Sequence, residues 1–290
     1  MNPAIVRMLA KYERRSLDDE INALREILQE LALCALWRAK FFERAAFYGG
    51  TALRVLYGLD RFSEDMDFSL LAPDDHFNMA PYCSAVEGEL ASWGFSATVE
   101  AKKKTATDSA IESAFLKANT RELLLSIDGG DQMAAKIHGR RLLKIKIEVD
   151  TDPPPGFSTE ARFLLQPVPF SVRVYDAPSL FAGKMHAVLC RGWQTRVKGR
   201  DWYDLVWYVG GATKLDLAHL EARMRQSGHF TDDRPLDEAR FRPMLKARID
   251  SLDIDAARKD VERFLVDQST ISVWSKEFFL AVENRIMIRT

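Results

Sequence analysis

The chain has 290 residues, of which 47% are hydrophobic, and a formal net charge of −1 at pH 7. This charge excludes strong global attraction to nucleic acid, so a polynucleotide partner would need a local basic patch. Three scattered cysteines without a Cys-x-x-Cys pair argue against a disulfide framework or structural zinc, and no apolar run approaches the roughly 18 residues that span a bilayer, which together predict a cytoplasmic protein.

The first clear element is an amphipathic helix that begins after Ser16 and ends near Trp37. Ser16 offers an N-cap, and acidic residues follow it in the first turn. Apolar residues then recur at helical spacing, which predicts that one face packs on a sheet: Ile21, Leu24, Ile27, Leu28 and Leu31.

A glycine pair follows the next predicted strand, which ends at Phe47-Tyr48. Gly49 and Gly50 precede Thr51, and a helix is predicted from Ala52 to Leu56. Such a turn exposes backbone N–H groups at the positive end of a helix, where a triphosphate can bind. Thr51 would act as N-cap or donate its hydroxyl to a phosphate. Taken alone, a Gly-Gly-Thr turn is more often simply a turn.

An acidic pair comes next, in the run Arg61-Phe62-Ser63-Glu64-Asp65-Met66-Asp67-Phe68. On a strand, Asp65 and Asp67 project from the same side. Two carboxylates held that close repel each other unless a divalent cation lies between them, and hard oxygen ligands suit Mg²⁺ or Mn²⁺. By itself, Asp-x-Asp is ordinary solvated surface in most proteins.

The region from 95 to 150 is predicted to be a strand meander, after a helix that ends at Gly94. Strand patterns lie at 95–100, 114–116 and 122–127, with a turn at 128–131. The last strand alternates polar and aliphatic residues, so four polar side chains share one face: Lys144, Lys146, Glu148 and Asp150. Pattern alone favours a half-exposed amphipathic strand.

Beyond a proline-rich stretch and a predicted edge strand at 172–175, the chain becomes helical. Ser179 is the expected cap of a helix that carries Lys184 and Arg191 on one face. The next helix carries Arg200, Asp201 and Asp204, and only helices follow. The simplest reading makes the lysine and arginine solvated charges, and the two aspartates a surface pair for Arg200.

The order and spacing of these motifs resemble a known family. Residues 49–53 followed by 61–68 resemble the opening motifs of the DNA polymerase β nucleotidyltransferase superfamily and, more narrowly, the AbiEii/AbiGii nucleotidyltransferase toxins of abortive-infection systems. The resemblance implies an α+β fold, with a polymerase β-like mixed sheet flanked by helices over 1–175. A C-terminal helical domain over 176–290 would contribute Lys184 and Asp201 to the site.

The resemblance also implies roles for particular residues. Asp65, Asp67 and a third carboxylate would hold the metal, and Glu148 is preferred over Asp150 because Asp150 lies at the strand end. Asp201 would complete the site by orienting Lys184 or the acceptor, while Asp204 stays open between a catalytic and a structural role. The nucleotide would contact Gly49, Gly50, Thr51, Ser63, Lys184 and Arg200.

The implied reaction transfers NMP from an NTP to an acceptor hydroxyl, with Mg²⁺ or Mn²⁺ as cofactor and a cognate antitoxin as partner. In the family the acceptor is thought to be RNA, in some members the 3′ end of tRNA. Two alternatives stay open: a small-molecule or protein acceptor, and an inactive binding module. Two basic groups are candidates for an RNA-facing rim, the run 102–104 and the set Arg191, Arg196, Lys198 and Arg200.

Overall fold

The computed structural model describes residues 2–101, 120–128, 143–192 and 197–289. The chain forms two compact units. Unit 1 comprises Met1–Gly58, Phe62–Pro153 and Glu160–Val174. Unit 2 comprises Leu59–Arg61, Pro154–Thr159 and Tyr175–Thr290. The division into domains at residue 175 stays a prediction.

A seven-stranded mixed sheet dominates unit 1. Its order is β3-β4-β5-β2-β1-β7-β6, in which β1 pairs antiparallel with β2 and parallel with β7, and β2 pairs parallel with β5. The strands are β1 Ala45–Tyr48, β2 Met66–Leu70, β3 Ser96–Ala101, β4 Thr120–Asp128, β5 Leu143–Asp150, β6 Thr159–Leu164 and β7 Phe170–Tyr175.

Four helices accompany this sheet in the described part of unit 1: α1 Pro3–Leu9, α2 Leu17–Arg38, α3 Gly49–Tyr57 and α4 Ala80–Ser92. The predicted cap of α2 is confirmed, since the Ser16 hydroxyl accepts the Asp19 N–H while the Asp19 carboxylate accepts the Ser16 N–H. Helix α2 packs against α4 and β5. The predicted apolar face is buried at four of its positions, Leu24, Ile27, Leu28 and Leu31.

The strand register separates a buried row from a polar row. Val149, Phe68, Phe47 and Val174 lie side by side on β5, β2, β1 and β7, and all four are buried. The adjacent row on the first three of these strands is polar and half-buried: Glu148, Asp67 and Tyr48. Because side chains alternate along a strand, the row that builds the core also fixes the polar row on the opposite face.

Two predictions about this part of the chain are wrong, the edge position of the strand at 172–175 and the helix cap at Ser179, and one strand was missed. Strand β7 is not an edge strand, because it lies between β1 and β6. Strand β6 was not predicted, since its alternating exposed and half-buried residues include no buried position. Asp176, rather than Ser179, caps the following helix, because its carboxylate accepts the Ser179 N–H.

Unit 2 is mainly helical in its described residues, although the prediction of helices alone after residue 211 misses a short strand pair. Its helices are α5 Ala177–Cys190, α6 Gly199–Gly210, α7 Leu217–Gln226, α8 Glu238–Asp250, α9 Ile254–Val261 and α10 Lys276–Glu283. A small parallel pair joins β8 Lys214–Leu215 and β9 Met287–Ile288. Helix α5 packs against α6 and α7. Within the described ranges, no helix is both long and apolar enough to cross a membrane.

Gly199 lies at a close contact between two helices of unit 2, where α6 meets α9. A Cβ at this position would lie 1.8 Å from the Ala257 carbonyl oxygen, a backbone atom that cannot swing away. We therefore expect Gly199→Ala to destabilise the protein by about 2–3 kcal/mol through overpacking. The measurement is the free energy of unfolding in urea.

Gly210 provides the matched control at the other end of α6. A Cβ there meets no heavy atom within 4 Å. Gly210→Ala should leave stability unchanged or raise it slightly, because alanine loses less conformational entropy in a helix. Equal destabilisation by both substitutions would contradict the assigned contact between α6 and α9.

Candidate active site

The glycine turn opens α3 directly. The helix begins at Gly49, earlier than predicted, and Tyr48 before it provides no side-chain cap. Thr51 is the third helical residue, so the expectation that it caps the helix is wrong. The first-turn N–H groups of Gly49, Gly50 and Thr51 have no carbonyl partner within the helix and point toward its positively polarised end.

Asp67 lies against Gly49. Gly49 has a φ of +80°, and a Cβ added to it would lie 2.2 Å from Asp67 Oδ2 and 2.9 Å from Cγ. The first glycine is therefore required twice, for its left-handed backbone and for the space that the carboxylate occupies. This contact brings one acid of the predicted metal pair to the N-terminus of α3.

Thr51 binds the backbone of Asp65, the other acid of the predicted metal pair. Its side chain is fully buried, and its hydroxyl donates a hydrogen bond to the Asp65 carbonyl oxygen. The single hydroxyl proton is thus used inside the protein, so a phosphate would meet the Thr51 N–H rather than its hydroxyl proton. Asp65 itself directly precedes β2 instead of lying within the strand.

Glu148 is the direct neighbour of Asp67 in the sheet. Parallel pairing of β2 with β5 sets Asp67 beside Glu148 and Ser69 beside Asp150. In-register neighbours on adjacent strands point to the same face. Asp150 Oδ1 accepts the Asp152 N–H in the turn that follows. The register therefore favours Glu148 over Asp150 as a partner for Asp67.

The Glu148 carboxylate is paired with the Lys146 ammonium, two residues earlier on β5. Asp65, Asp67 and Glu148 do not form a set whose oxygens all lie within 4.8 Å of one another. Their donor atoms are hard oxygens, which fit Mg²⁺ or Mn²⁺. For all three carboxylates to bind one ion, the Glu148 carboxylate would have to release the Lys146 ammonium and bind the cation instead.

Ser63 belongs to the segment that leads into β2. It is half-buried, and its carbonyl oxygen accepts a hydrogen bond from Gln29 on α2 at 3.3 Å. Its predicted contact with a nucleotide stays a prediction.

In unit 2, Lys184 binds both aspartates of α6. Its Nζ lies 2.8 Å from Asp201 Oδ1 and 2.8 Å from Asp204 Oδ2. These aspartates are three positions apart (i, i+3), so they share one helix face. Their side chains are 5% and 0% exposed, which overturns the reading of a solvated surface pair for Arg200.

Two arginines complete this network. Arg61 binds Asp204 through two hydrogen bonds of 2.6 Å, and its guanidinium is almost fully buried. Arg191 lies 2.6 Å from Asp201 Oδ2. Burial alone would raise the pKa of Asp201, but Lys184 and Arg191 hold that pKa far below its usual range. Three cations thus surround two carboxylates. The burial of Arg61 against Asp204 disfavours it as a phosphate ligand.

Arg200 is placed differently, with its guanidinium carbon 4.2 Å from the centre of the Phe264 ring. This is a cation–π contact within unit 2. The predicted contact of Arg200 with the nucleotide stays a prediction.

Residues 102–104 and Arg196 of the predicted basic rim lie outside the described residues, as do the predicted strand at 114–116 and most of the turn at 128–131.

A second cluster in unit 2 consists of His186, Cys190 and His229, whose ligand atoms all lie within 4.8 Å of one another. The Ser227 hydroxyl lies 2.8 Å from His186 Nε2 and 2.9 Å from His229 Nδ1. Burial and the nearby Arg223 guanidinium lower the pKa of His186 to about 3. The adjacent arginine disfavours a dication, so we interpret this cluster as a hydrogen-bonded contact in which only His186 is buried.

The sequence matches one known protein family. Residues 31–282 match the model of the nucleotidyl transferase AbiEii toxin family of type IV toxin–antitoxin systems. The chain belongs to this family. No functionally curated protein matches the sequence.

Two solved structures from Helicobacter pylori are similar in fold. One, assigned as a nucleotidyltransferase, is 18% identical, with a TM-score of 0.50 over 90% of this chain and 91% of that one. The other, JHP933, is 17% identical, with a TM-score of 0.51 over 91% and 93%. At these identities the likeness concerns the fold, and the predicted α+β class is confirmed.

The protein is therefore a nucleotidyltransferase and a toxin of a type IV toxin–antitoxin system. The predicted family is confirmed. Membership implies a nucleoside triphosphate as substrate and a cognate antitoxin as partner, and enzymes of this kind generally use a divalent metal.

The contact between Gly49 and Asp67 generates a prediction. Gly49→Ala should abolish nucleotidyl transfer, because the new methyl group displaces the Asp67 carboxylate. Gly58→Ala is the control, since Gly58 ends the same helix with a φ of +81° but a Cβ there meets nothing within 4 Å. Both variants should lose about 1 kcal/mol or more from backbone strain. If Gly58→Ala lost transfer as completely, strain rather than displacement would be responsible.

The ionic network generates a prediction about pH. Asp201→Asn should destabilise the protein by about 3 kcal/mol or more at pH 7, because it leaves buried cations without their partner. Since the pKa of Asp201 is lowered by folding, its stabilising contribution is complete above the unfolded value of about 4 and declines as pH falls below it. Urea unfolding of wild type and variant at pH 7 and pH 3 should show a smaller difference at pH 3.

The exposed Asp255 provides the control for this comparison. Its side chain is 92% exposed beside Arg258 on the surface of unit 2, and Asp255→Asn should change stability little at either pH. A difference between wild type and Asp201→Asn that grows on acidification would contradict the network.

Proposed function

We propose that the protein transfers a nucleoside monophosphate from an NTP to the terminal 3′ hydroxyl of an RNA, tRNA being the preferred class, in a metal-dependent reaction. The observation that carries the proposal is the placement of Asp67 in unit 1, beside Glu148 in the sheet and against Gly49 at the N-terminus of α3. An acidic group for a cation and a helix end for phosphates lie together there.

Asp65 and Asp67 would hold one or two Mg²⁺ or Mn²⁺ ions, with Glu148 as third carboxylate. A bound ion supplies Lewis-acid polarisation of the phosphoryl oxygens. The backbone N–H groups of Gly49, Gly50 and Thr51 donate to the β- and γ-phosphates. Ser63 is a further nucleotide contact by family resemblance.

In the transfer step, the acceptor oxygen forms a bond to the α-phosphorus as the bond to the pyrophosphate oxygen breaks. Glu148 accepts the hydroxyl proton. By family resemblance, Lys184 would bind the phosphates and stabilise the negative charge on the leaving pyrophosphate, with Arg200 as a weaker candidate. Asp201, 2.8 Å from Lys184 Nζ, would orient that ammonium.

An RNA acceptor is supported by the family's place among toxins and by local charge. Lys144 and Lys146 lie on the same strand face as Glu148, four and two residues before it. Lys144 is exposed. Cations in a row beside an acidic centre suit a polyanion that must reach that centre.

The test is incubation with each of the four NTPs, labelled either at the α- or the γ-phosphate, together with total RNA and Mg²⁺. We expect the α-label, and not the γ-label, to appear at RNA 3′ ends. Label in a small-molecule or protein fraction would replace RNA by that acceptor, and no label in any fraction would make the protein a binding module.

The acidic pair gives a matched set of variants. Asp65→Asn and Asp67→Asn should each abolish transfer while leaving the metal-free fold intact or slightly more stable, because one of two repelling carboxylates is neutralised. Asp18→Asn, an exposed carboxylate on α2, should transfer like wild type. Wild-type transfer by the doubly substituted protein would refute the assigned site.

A further inference from the structure

Gln29 on α2 contacts the segment that carries the acidic pair, although 34 residues separate them. Its amide nitrogen lies 3.3 Å from the Ser63 carbonyl oxygen and 3.1 Å from the Glu64 carbonyl oxygen. Both partners are acceptors, which fixes the amide orientation because only the NH₂ group donates. The Gln29 side chain is almost fully buried, at 1% exposure.

Thr51 supplies the third contact in the same series. Its buried hydroxyl donates to the carbonyl oxygen of Asp65, the residue after Glu64. Three consecutive carbonyl groups, at residues 63, 64 and 65, are therefore held by two buried side chains. The residues 63–65 lie outside regular secondary structure, so no helix or sheet ladder accounts for these bonds.

The orientation of Gln29 has an energetic cost. Its Oε1 is buried and has no hydrogen-bond partner among the residues that the structure describes. A buried amide oxygen without a partner is destabilising, whereas the two bonds that the amide nitrogen donates satisfy the carbonyl oxygens of Ser63 and Glu64. The amide of Gln29 thus holds the backbone of 63–65 at the expense of its own oxygen.

We propose that Gln29 and Thr51 are positioning residues, which together form a clamp on the backbone of 63–65 that places the Asp65 carboxylate for metal binding. The clamp rests on the proposed metal role of Asp65 and Asp67. Side chains that orient a metal ligand are commonly worth 10–100-fold in metal affinity. Because Mg²⁺ demands near-ideal octahedral geometry and Mn²⁺ is more tolerant, loss of the clamp should harm Mg²⁺-supported activity more.

The experiment measures Mn²⁺ binding by electron paramagnetic resonance without nucleotide, and the ratio of transfer rates in Mg²⁺ and Mn²⁺. Gln29→Met and Thr51→Val remove the donors at similar size. Thr51→Ser retains the hydroxyl, and Ile27→Val is a buried change on α2 that removes no hydrogen bond. We expect Gln29→Met and Thr51→Val to bind Mn²⁺ 10–100-fold more weakly, with a lowered Mg²⁺ to Mn²⁺ rate ratio. Thr51→Ser should recover the Mn²⁺ affinity that Thr51→Val loses, and Ile27→Val should resemble wild type.

The outcomes separate the clamp from the metal site on which it depends. If wild type binds Mn²⁺ and Asp67→Asn abolishes binding, but Gln29→Met and Thr51→Val bind like wild type, the clamp is overturned and the metal site stands. If wild type binds no Mn²⁺, or Asp67→Asn binds normally, the metal site itself is overturned. Should Gln29→Met fail to fold, the Thr51→Ser and Thr51→Val pair decides alone.

Discussion

The contact between the first turn of α3 and the two aspartates is the constraint on which unit 1 depends. Gly49 leaves room for the Asp67 carboxylate, and Thr51 holds the Asp65 carbonyl oxygen. The helix dipole partly offsets the negative charge gathered there. The same turn that offers N–H groups to phosphates thus also sets the positions of the acids, so the two halves of the motif form one structural unit.

In unit 2, buried carboxylates are neutralised by side-chain cations. Asp201 and Asp204 are buried, and three cations neutralise them: Arg61, Lys184 and Arg191. Buried ion pairs add little net stability compared with apolar packing, so their presence in a core points to function. Arg61, which binds Asp204, belongs to unit 2, whereas Phe62, the next residue in the chain, belongs to unit 1.

Local patterns predicted many of the helices and strands that the structure shows. The Ser16 cap, the alternation of β5 and the order of glycines and aspartates are all encoded by residues close in sequence, and resemblance supplied the fold. Three features had no local signal: the clamp by Gln29, the pairing of Arg61 with Asp204, and the strand β6. Each depends on partners more than 30 residues away or on a strand without a buried face. The position of Asp150 at the strand end already favoured Glu148, but the pairing of Glu148 with Asp67 depends on the register of β5 against β2, which no single segment contains.

The most direct measurement is anomalous diffraction from crystals grown with Mn²⁺ and a non-hydrolysable nucleoside triphosphate. We expect the manganese peak between the carboxylates of Asp65 and Asp67, with the triphosphate at the N–H groups that open α3. A peak at His186, Cys190 and His229, or a triphosphate bound away from Gly49 and Gly50, would contradict the account.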